Sequence, residues 1–462
     1  MTRVTGPLAA VLLLSILVGE IGGAIWVPLR GGTVLAVVAA TLLAAVHLRH
    51  VIIVGQVMAG LALVSMIAVL IWAPEARPQL WNAARQGTIF SAFLTSLGLL
   101  RGPVRQSRFI GLAAETLFSF PPRLRPATLT WGTQFLSVLF NLATISILSD
   151  IANAHGQRAA QAGRAGVAQW PVTMAAARGT TLSTMWNPVG VGFAIVTTSV
   201  AGLAAGPFLA LACAAAMVLS LASLLLPGRG APPRGPGDPL PQPIPPGGLQ
   251  ALGLTLLAVA VMIGLTLLIH SVLDVSFLVA AALIIPALAL SWPLVEPGLK
   301  AAAQTGAIPA MADAARVMSN EATIFFAAAL FSCGVSLVIG GLGLTAMIAS
   351  GALPALVVIL LALVAVPFGA AVLIPHSISM VLVAQILGQG PIGVAHPMAL
   401  GLALCCSWCC AIFASPISAI SIITARYLGV SLRELCFGIN LPFTLVAVAL
   451  SALMVSGVYM LD

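Results

Sequence analysis

The sequence predicts an all-α polytopic membrane protein of about eleven transmembrane helices plus two re-entrant hairpins, arranged as an inverted repeat. Three observations predict it. Hydrophobic residues make up 60% of the 462, charged residues only 6%, and the mean hydropathy is +1.13, a balance suited to lipid rather than water. Apolar runs of about 20 residues, the length that crosses a bilayer core, recur along the chain. Short motifs of the first half also return, in order, in the second. The first two observations exclude a soluble enzyme.

The candidate spans are 6–26, 31–47, 51–73, 88–100, 171–200, 202–226, 251–270, 276–292, 321–341, 396–427 and 441–461. The first is too long for the apolar stretch of a signal peptide and lacks a small-residue cleavage pattern, so 1–30 reads as an extra N-terminal span. The fourth is short for a crossing unless Gln86 and the residues after Arg101 extend it. After the sixth comes "GRGAPPRGPGDPLPQPIPPGG", whose Pro and Gly prevent packing as an element. It reads as a cytoplasmic linker, 227–250, between a first inverted repeat at 31–226 and a second at 251–462.

The repeat rests on three matches. Thr88-Ile89-Phe90 and Thr323-Ile324-Phe325 lie 235 positions apart, and Asn141 and His376 share that offset. "WNPVGVGFAI" from Trp186 and "ASPISAISII" from Ala414 align at an offset of 228, pairing Asn187-Pro188 with Ser415-Pro416 and Gly190 with Ser418. Three matches in one order favour an internal repeat. Paired interrupted helices in repeated halves point to a secondary transporter.

Charge sets the topology. The 18 Arg and one Lys that give the net charge of +8 report orientation in a membrane chain, not nucleic-acid binding. Seven Arg lie between 101 and 164. A hairpin that dips in and returns, with its tip at Asn141-Leu142-Ala143-Thr144, puts all seven on the cytoplasmic side; a plain span at 127–148 would divide them. With the N-terminus inside, 15 basic residues are cytoplasmic and Arg30, Arg77 and Arg85 are outside. No Lys or Arg occurs between Arg316 and Arg426, as expected of an outward-facing second hairpin with its tip at Pro375-His376-Ser377. The halves are then inverted.

Irregular backbone at membrane depth survives only where protein or a water-filled cavity satisfies it. Pro188 and Pro416 each follow a small polar residue and break the helix. A break frees carbonyls on one side and N–H groups on the other, offering a cation end and an anion end. Simple kinks are the alternative for each break. The candidate substrate-binding residues are Asn141, Thr144, Asn187, Pro188, Gly190, His376, Ser377, Ser415, Pro416, Ser418 and Arg178. The candidate ion-coupling residues are Thr144, Asn187, His376 and Ser379.

This arrangement resembles the ion transporter superfamily, which includes divalent anion:sodium symporters and the large membrane subunit of tripartite ATP-independent periplasmic transporters. "LIPHSIS" from Leu373 is similar to the hairpin loops of the tripartite class, and "WNPVG" to the Pro-containing broken-helix loops of both. The resemblance implies a scaffold domain, a mobile transport domain and a homodimer. The Ser-Asn-Thr triplets of the family's sodium sites are absent; the matching positions read Asn141-Leu142-Ala143-Thr144 and His376-Ser377-Ile378-Ser379. Oxygens of Thr144, Ser377 and Ser379 leave sodium open, and His376 offers a proton carrier.

Other residues carry two readings each. Arg178, within a span, either binds an anion or snorkels to the cytoplasmic edge. Asp150 pairs with an Arg or faces the cytoplasm; Glu20 joins helices in the scaffold. "CCSWCC" places Cys405 with Cys409 and Cys406 with Cys410 at helical spacing, a soft-metal pattern that also suits packing; no metal site is expected. "RQSRFIGLAAETLFSF" from Arg105 forms either a surface arm helix or an extension of the preceding span.

The expected function is a secondary active transporter of a small anionic solute, working by elevator-like alternating access and coupled to sodium or protons, in a bacterial inner membrane. No catalysis, cofactor or nucleic acid is expected beyond sodium as a coupling ion. The rivals are a tripartite large subunit and a membrane-embedded transferase, the latter disfavoured by only 11 scattered acids.

Overall fold

The structure is a computed structural model. It describes residues 5–26, 31–121, 124–161, 169–226, 243–296, 318–341 and 353–462, together with 343, 347 and 350. Most of the linker, the segment 297–317, and Arg3, Arg30, Arg123, Arg164, Arg229, Arg234, Lys300 and Arg316 lie outside the described residues.

Among the described residues every regular element is helical. In chain order, those of nine or more residues are α1 (Thr5–Ile25), α2 (Gly32–His47), α3 (Ile53–Trp72), α4 (Arg77–Gln106), α5 (Arg108–Thr116), α6 (Arg125–Phe140), α7 (Ala143–Gln161), α8 (Gln169–Ser183), α9 (Val191–Ser199) and α10 (Ala205–Leu225). Then follow α11 (Gly248–Leu273), α12 (Phe277–Val295), α13 (Ser319–Gly341), α14 (Ala355–Ala371), α15 (His376–Gly388), α16 (Pro397–Ala414), α17 (Ala419–Leu428) and α18 (Leu441–Tyr459). Among the described residues, eight helical stretches are long and apolar enough to cross a membrane. The polytopic all-α architecture is the expected one.

Several boundaries differ from the expected spans. The fourth does not stop at 88–100. It belongs to the 30-residue α4, whose polar first turns, with Gln79, Asn82, Arg85 and Gln86, extend the helix beyond its apolar run. The helix thus takes in Gln86 and the residues after Arg101, as a longer fourth span requires, and reaches further back to Arg77, since a helix continues wherever its backbone bonds close. Spans 171–200 and 396–427 are each two helices, α8 with α9 and α16 with α17. The stretch 127–148 is not one helix: α6 and α7 meet at Asn141 and Leu142, and Asn141 takes a positive φ of 52°.

Within the 105–120 stretch, α4 ends at Gln106 and Arg108–Thr116 forms a separate helix. Ser107 leaves the helical conformation and its hydroxyl caps α5, accepting from Ile110 N–H. The Glu296 carboxylate at the end of α12 completes that cap, accepting from Ser107 Oγ at 2.6 Å and from Arg108 N–H at 2.6 Å. α5 then packs along α11.

One continuous apolar core runs through the helices, and two sets of contacts stand out in it. In one, α4 lies against α12, α13 and α1, and α3 lies against α13. Glu20 on α1 accepts from Thr88 Oγ1 at 2.6 Å, the interhelical contact expected of it. In the other, both legs of each hairpin pack on the first half of a broken helix: α6 and α7 on α8, and α14 and α15 on α16.

Candidate functional site

The first hairpin turns at Asn141, whose N–H donates to Ser137 carbonyl at 2.8 Å. Thr144, the second residue of α7, accepts from Ser137 Oγ at 3.1 Å, and Ser137 bonds Thr180 Oγ1 of α8 at 2.8 Å. Three buried hydroxyls thus fasten this tip to the helix that leads into the first break. Gly179 allows the approach, since a Cβ there would collide with Thr133 Oγ1 and the Thr130 carbonyl of α6.

The first break spans 184–190 and is almost wholly buried. Asn187 closes it locally: its Oδ1 accepts from Val189 N–H at 2.9 Å, an Asx turn, and its own N–H donates to Ser183 carbonyl at 2.8 Å. Pro188 and Gly190 are buried beside it. Trp186 Nε1 donates to Gln134 Oε1 at 3.0 Å, and Gln134 Nε2 donates to Ser220 Oγ at 2.7 Å. These bonds tie the break to α6 and α10. Sequence reading passed over Gln134 and Trp186, although a Trp beside an Asn-Pro break has an indole N–H that must find a partner when buried.

The second hairpin turns at Val372-Leu373, and the positive φ of 69° falls on Leu373. The turn therefore sits three residues before the expected His376, which instead opens α15. Ser377 and Ser379 lie half-buried in its first turn. At the second break Ser415 is fully buried and its hydroxyl has no hydrogen-bond partner, while Pro416 is half-buried. Ser418 caps α17: its Oγ accepts from Ser421 N–H at 3.1 Å.

The structure brings the second tip to the first break through a residue that the sequence did not single out. His376 stands edge-on to the Trp408 ring of α16, with 4.7 Å between centroids. The same indole lies over Gly192, the second residue of α9, where a Cβ would come within 2.6 Å of it. The stubs beyond the breaks also cross between the halves: α9 packs on α15 and α16, and α17 packs on α7 and α8. The hydrogen bonds of Asn187 and Ser418 themselves remain within their own breaks.

Arg178 is anchored through one nitrogen, while its buried Nε and Nη2 have no hydrogen-bond partner. Its Nη1 donates to the Leu226 carbonyl at 2.7 Å and the Ser223 carbonyl at 2.8 Å at the end of α10, where positive charge meets the negative pole of the helix. Phe443 lies 4.9 Å from the guanidinium carbon. At 5% exposed it does not snorkel. Asp150 accepts from Tyr427 Oη at 2.9 Å, a partner supplied by α17 rather than an Arg. Cys405, Cys406, Cys409 and Cys410 are free thiols in the core, and among the described residues no group of His, Cys, Asp and Glu is placed to hold a metal.

Among solved structures, the fold is similar to that of the YdaH transporter of Alcanivorax borkumensis, with a TM-score of 0.57 over 84% of this chain and 89% of that one, at 16% identity. The chain has the fold of a membrane transporter. No protein-family model matches the sequence, and no curated protein does. In this transporter fold, both hairpins and both broken helices are present among the described residues.

Proposed function

We propose that the protein is a secondary active transporter of a small anionic solute, working by alternating access, and that it belongs to the ion transporter superfamily. The observation that carries this reading is the crossover of the two broken helices, in which each stub leaves its own repeat and packs on the other. Two repeats joined this way share one central region, so a solute bound there touches both halves at once. Transport then needs no covalent step. The loaded site has only to face each side of the membrane in turn, and the solute shifts the balance between those states by its differential affinity for them.

The site is formed by Asn141 and Thr144 of the first tip, His376, Ser377 and Ser379 of the second, Asn187, Pro188 and Gly190 of the first break, and Ser415, Pro416 and Ser418 of the second. The hairpins and broken helices form the mobile domain, and α1 to α4 with α11 to α13 form the scaffold through which two copies pair. Coupling uses sodium at the hydroxyl-bearing tips or a proton on His376. The bilayer is a bacterial inner membrane, with the N-terminus inside.

The test is uptake into proteoliposomes holding the purified chain alone. Accumulation of labelled succinate, benzoate or a sugar acid driven by an inward sodium gradient or proton gradient is the expected result, and the gradient that drives it names the coupling ion. Uptake that appears only when a binding protein and a small membrane subunit are added would replace this reading with the tripartite one. No gradient-driven uptake in either format would reject it.

A further inference from the structure

The two breaks differ where their second halves begin. Ser418 caps α17 with its own hydroxyl. Gly190 stands at the matching position of the first break, and α9 starts with no side-chain cap. The first intrahelical bond of α9 runs from Ala194 N–H to the Gly190 carbonyl. The N–H groups of Val191, Gly192 and Phe193 precede it and have no partner within the helix, so they form a positive pole.

Trp408 lies across that pole. Its indole is 6% exposed, and Nε1 has no hydrogen-bond partner, although this nitrogen can only donate. The place that a Cβ on Gly192 would take is 2.8 Å from Nε1, so the orphan donor sits against the first turn of α9. The His376 ring stands on the same indole. A buried donor left without an acceptor is costly, and here it lies beside further donors.

We propose that the open first turn of α9 and the Trp408 indole N–H form an oxyanion cradle, which selects solutes bearing a carboxylate or sulfonate. The proposal rests on the transport reading above and adds the atoms that choose the charge. Glycine at 192 lets the indole approach the first turn of α9, because any side chain there would meet it.

The experiment is a thermal-shift titration of the purified full chain with succinate, benzoate and benzenesulfonate, with succinamide and benzamide as uncharged counterparts. The acids are expected to raise the unfolding midpoint and the amides to leave it unchanged. Trp408→Phe keeps the ring and removes the donor, and is expected to weaken acid binding about tenfold, the loss of one hydrogen bond to a charged group. Gly190→Ser supplies the cap found at the other break, so it is expected to weaken acid binding while the midpoint without ligand holds or rises. It carries the test if Trp408→Phe does not fold. Equal shifts from acids and amides, no shift from any acid, or unchanged affinity in the variant that folds would each overturn the cradle. Uptake of an uncharged solute alongside such a result would leave the transport reading standing; intact acid binding without gradient-driven uptake would do the reverse.

Discussion

Phe90 and Phe325 occupy matching positions in the two halves of the sequence, and their rings meet at 5.9 Å between centroids, tilted by 48°. Both are buried, at 1% and 6% exposed, in the contact between α4 and α13. Ser91 Oγ donates to the Ala322 carbonyl at 3.0 Å beside them, and Gly87 lets Phe326 come close. Truncating either ring to Ala should cost about 3–5 kcal/mol through the cavity it leaves. A double-mutant cycle in a denaturant titration should then return about 1 kcal/mol of coupling between the pair.

Glu296 holds the arm helix by two short bonds, to Ser107 Oγ and Arg108 N–H. Glu296→Ala should destabilise the α5–α12 junction by about 2 kcal/mol, in the range for a charged acceptor. The measurement is the protease sensitivity of the 105–120 segment in the purified chain, which should rise, with Glu296→Gln falling between the two.

A polar relay joins α4 to α9 and α15. Gln385 Nε2 donates to Gln86 Oε1 at 2.8 Å, Gln86 Nε2 donates to Ser199 Oγ at 3.1 Å, and Gln389 Nε2 donates to the Ser199 carbonyl at 2.8 Å. If the hairpin group moves past α4, these bonds exist in one state only. Gln86→Ala removes two of them, worth about 1 kcal/mol each, and should shift the balance between states by about thirtyfold. Single-molecule fluorescence between labels on α4 and α15 would read that shift.

His155, near the end of α7, lies 3.8 Å from Glu115 of α5 and stacks on Phe118. Burial first, then the charges of Arg158 and Arg125, hold its imidazole below the usual range, against the pull of Glu115. A lowered pKa means that the unfolded chain takes up the proton more readily. Stability should therefore be unaffected well above pH 6.5 and decline as the pH falls below it toward the folded-state value. His155→Phe should flatten that part of the stability–pH curve, as followed by thermal unfolding from pH 8 to pH 5.

Gly179→Ala would drive a methyl group into Thr133 and the Thr130 carbonyl of α6. Overpacking of this kind typically costs about 1–3 kcal/mol, so the midpoint of thermal unfolding should fall. The same substitution at Gly206, which has open space around it, should be tolerated.

The fold was legible where one signal dominated. Apolar length marked the spans, and Pro188 and Pro416 marked the breaks because Pro removes a backbone donor wherever it stands. The Arg distribution separated a hairpin from a span at Asn141. The start of α4 was legible only back to Gln86, because Gln79, Asn82 and Arg85 are exposed and carry no apolar signal. Leu373 escaped as the turn residue because nothing in its side chain favours a positive φ. At the site, Trp408 and Gly192 meet only in three dimensions, 216 positions apart in the chain, and no local pattern could join them. Arg178 was visible as costly, yet its destination at the end of α10 depended on packing.

The thiol quartet on α16 has a practical corollary. With those four sulfurs sealed in the core, and Cys333 and Cys436 buried as well, maleimide reagents applied to the folded chain would find Cys213 as the chief native target among the described residues. A single replacement there would give a nearly silent background on which cysteines introduced one at a time at 141, 373 or 417 report which face of the membrane they see.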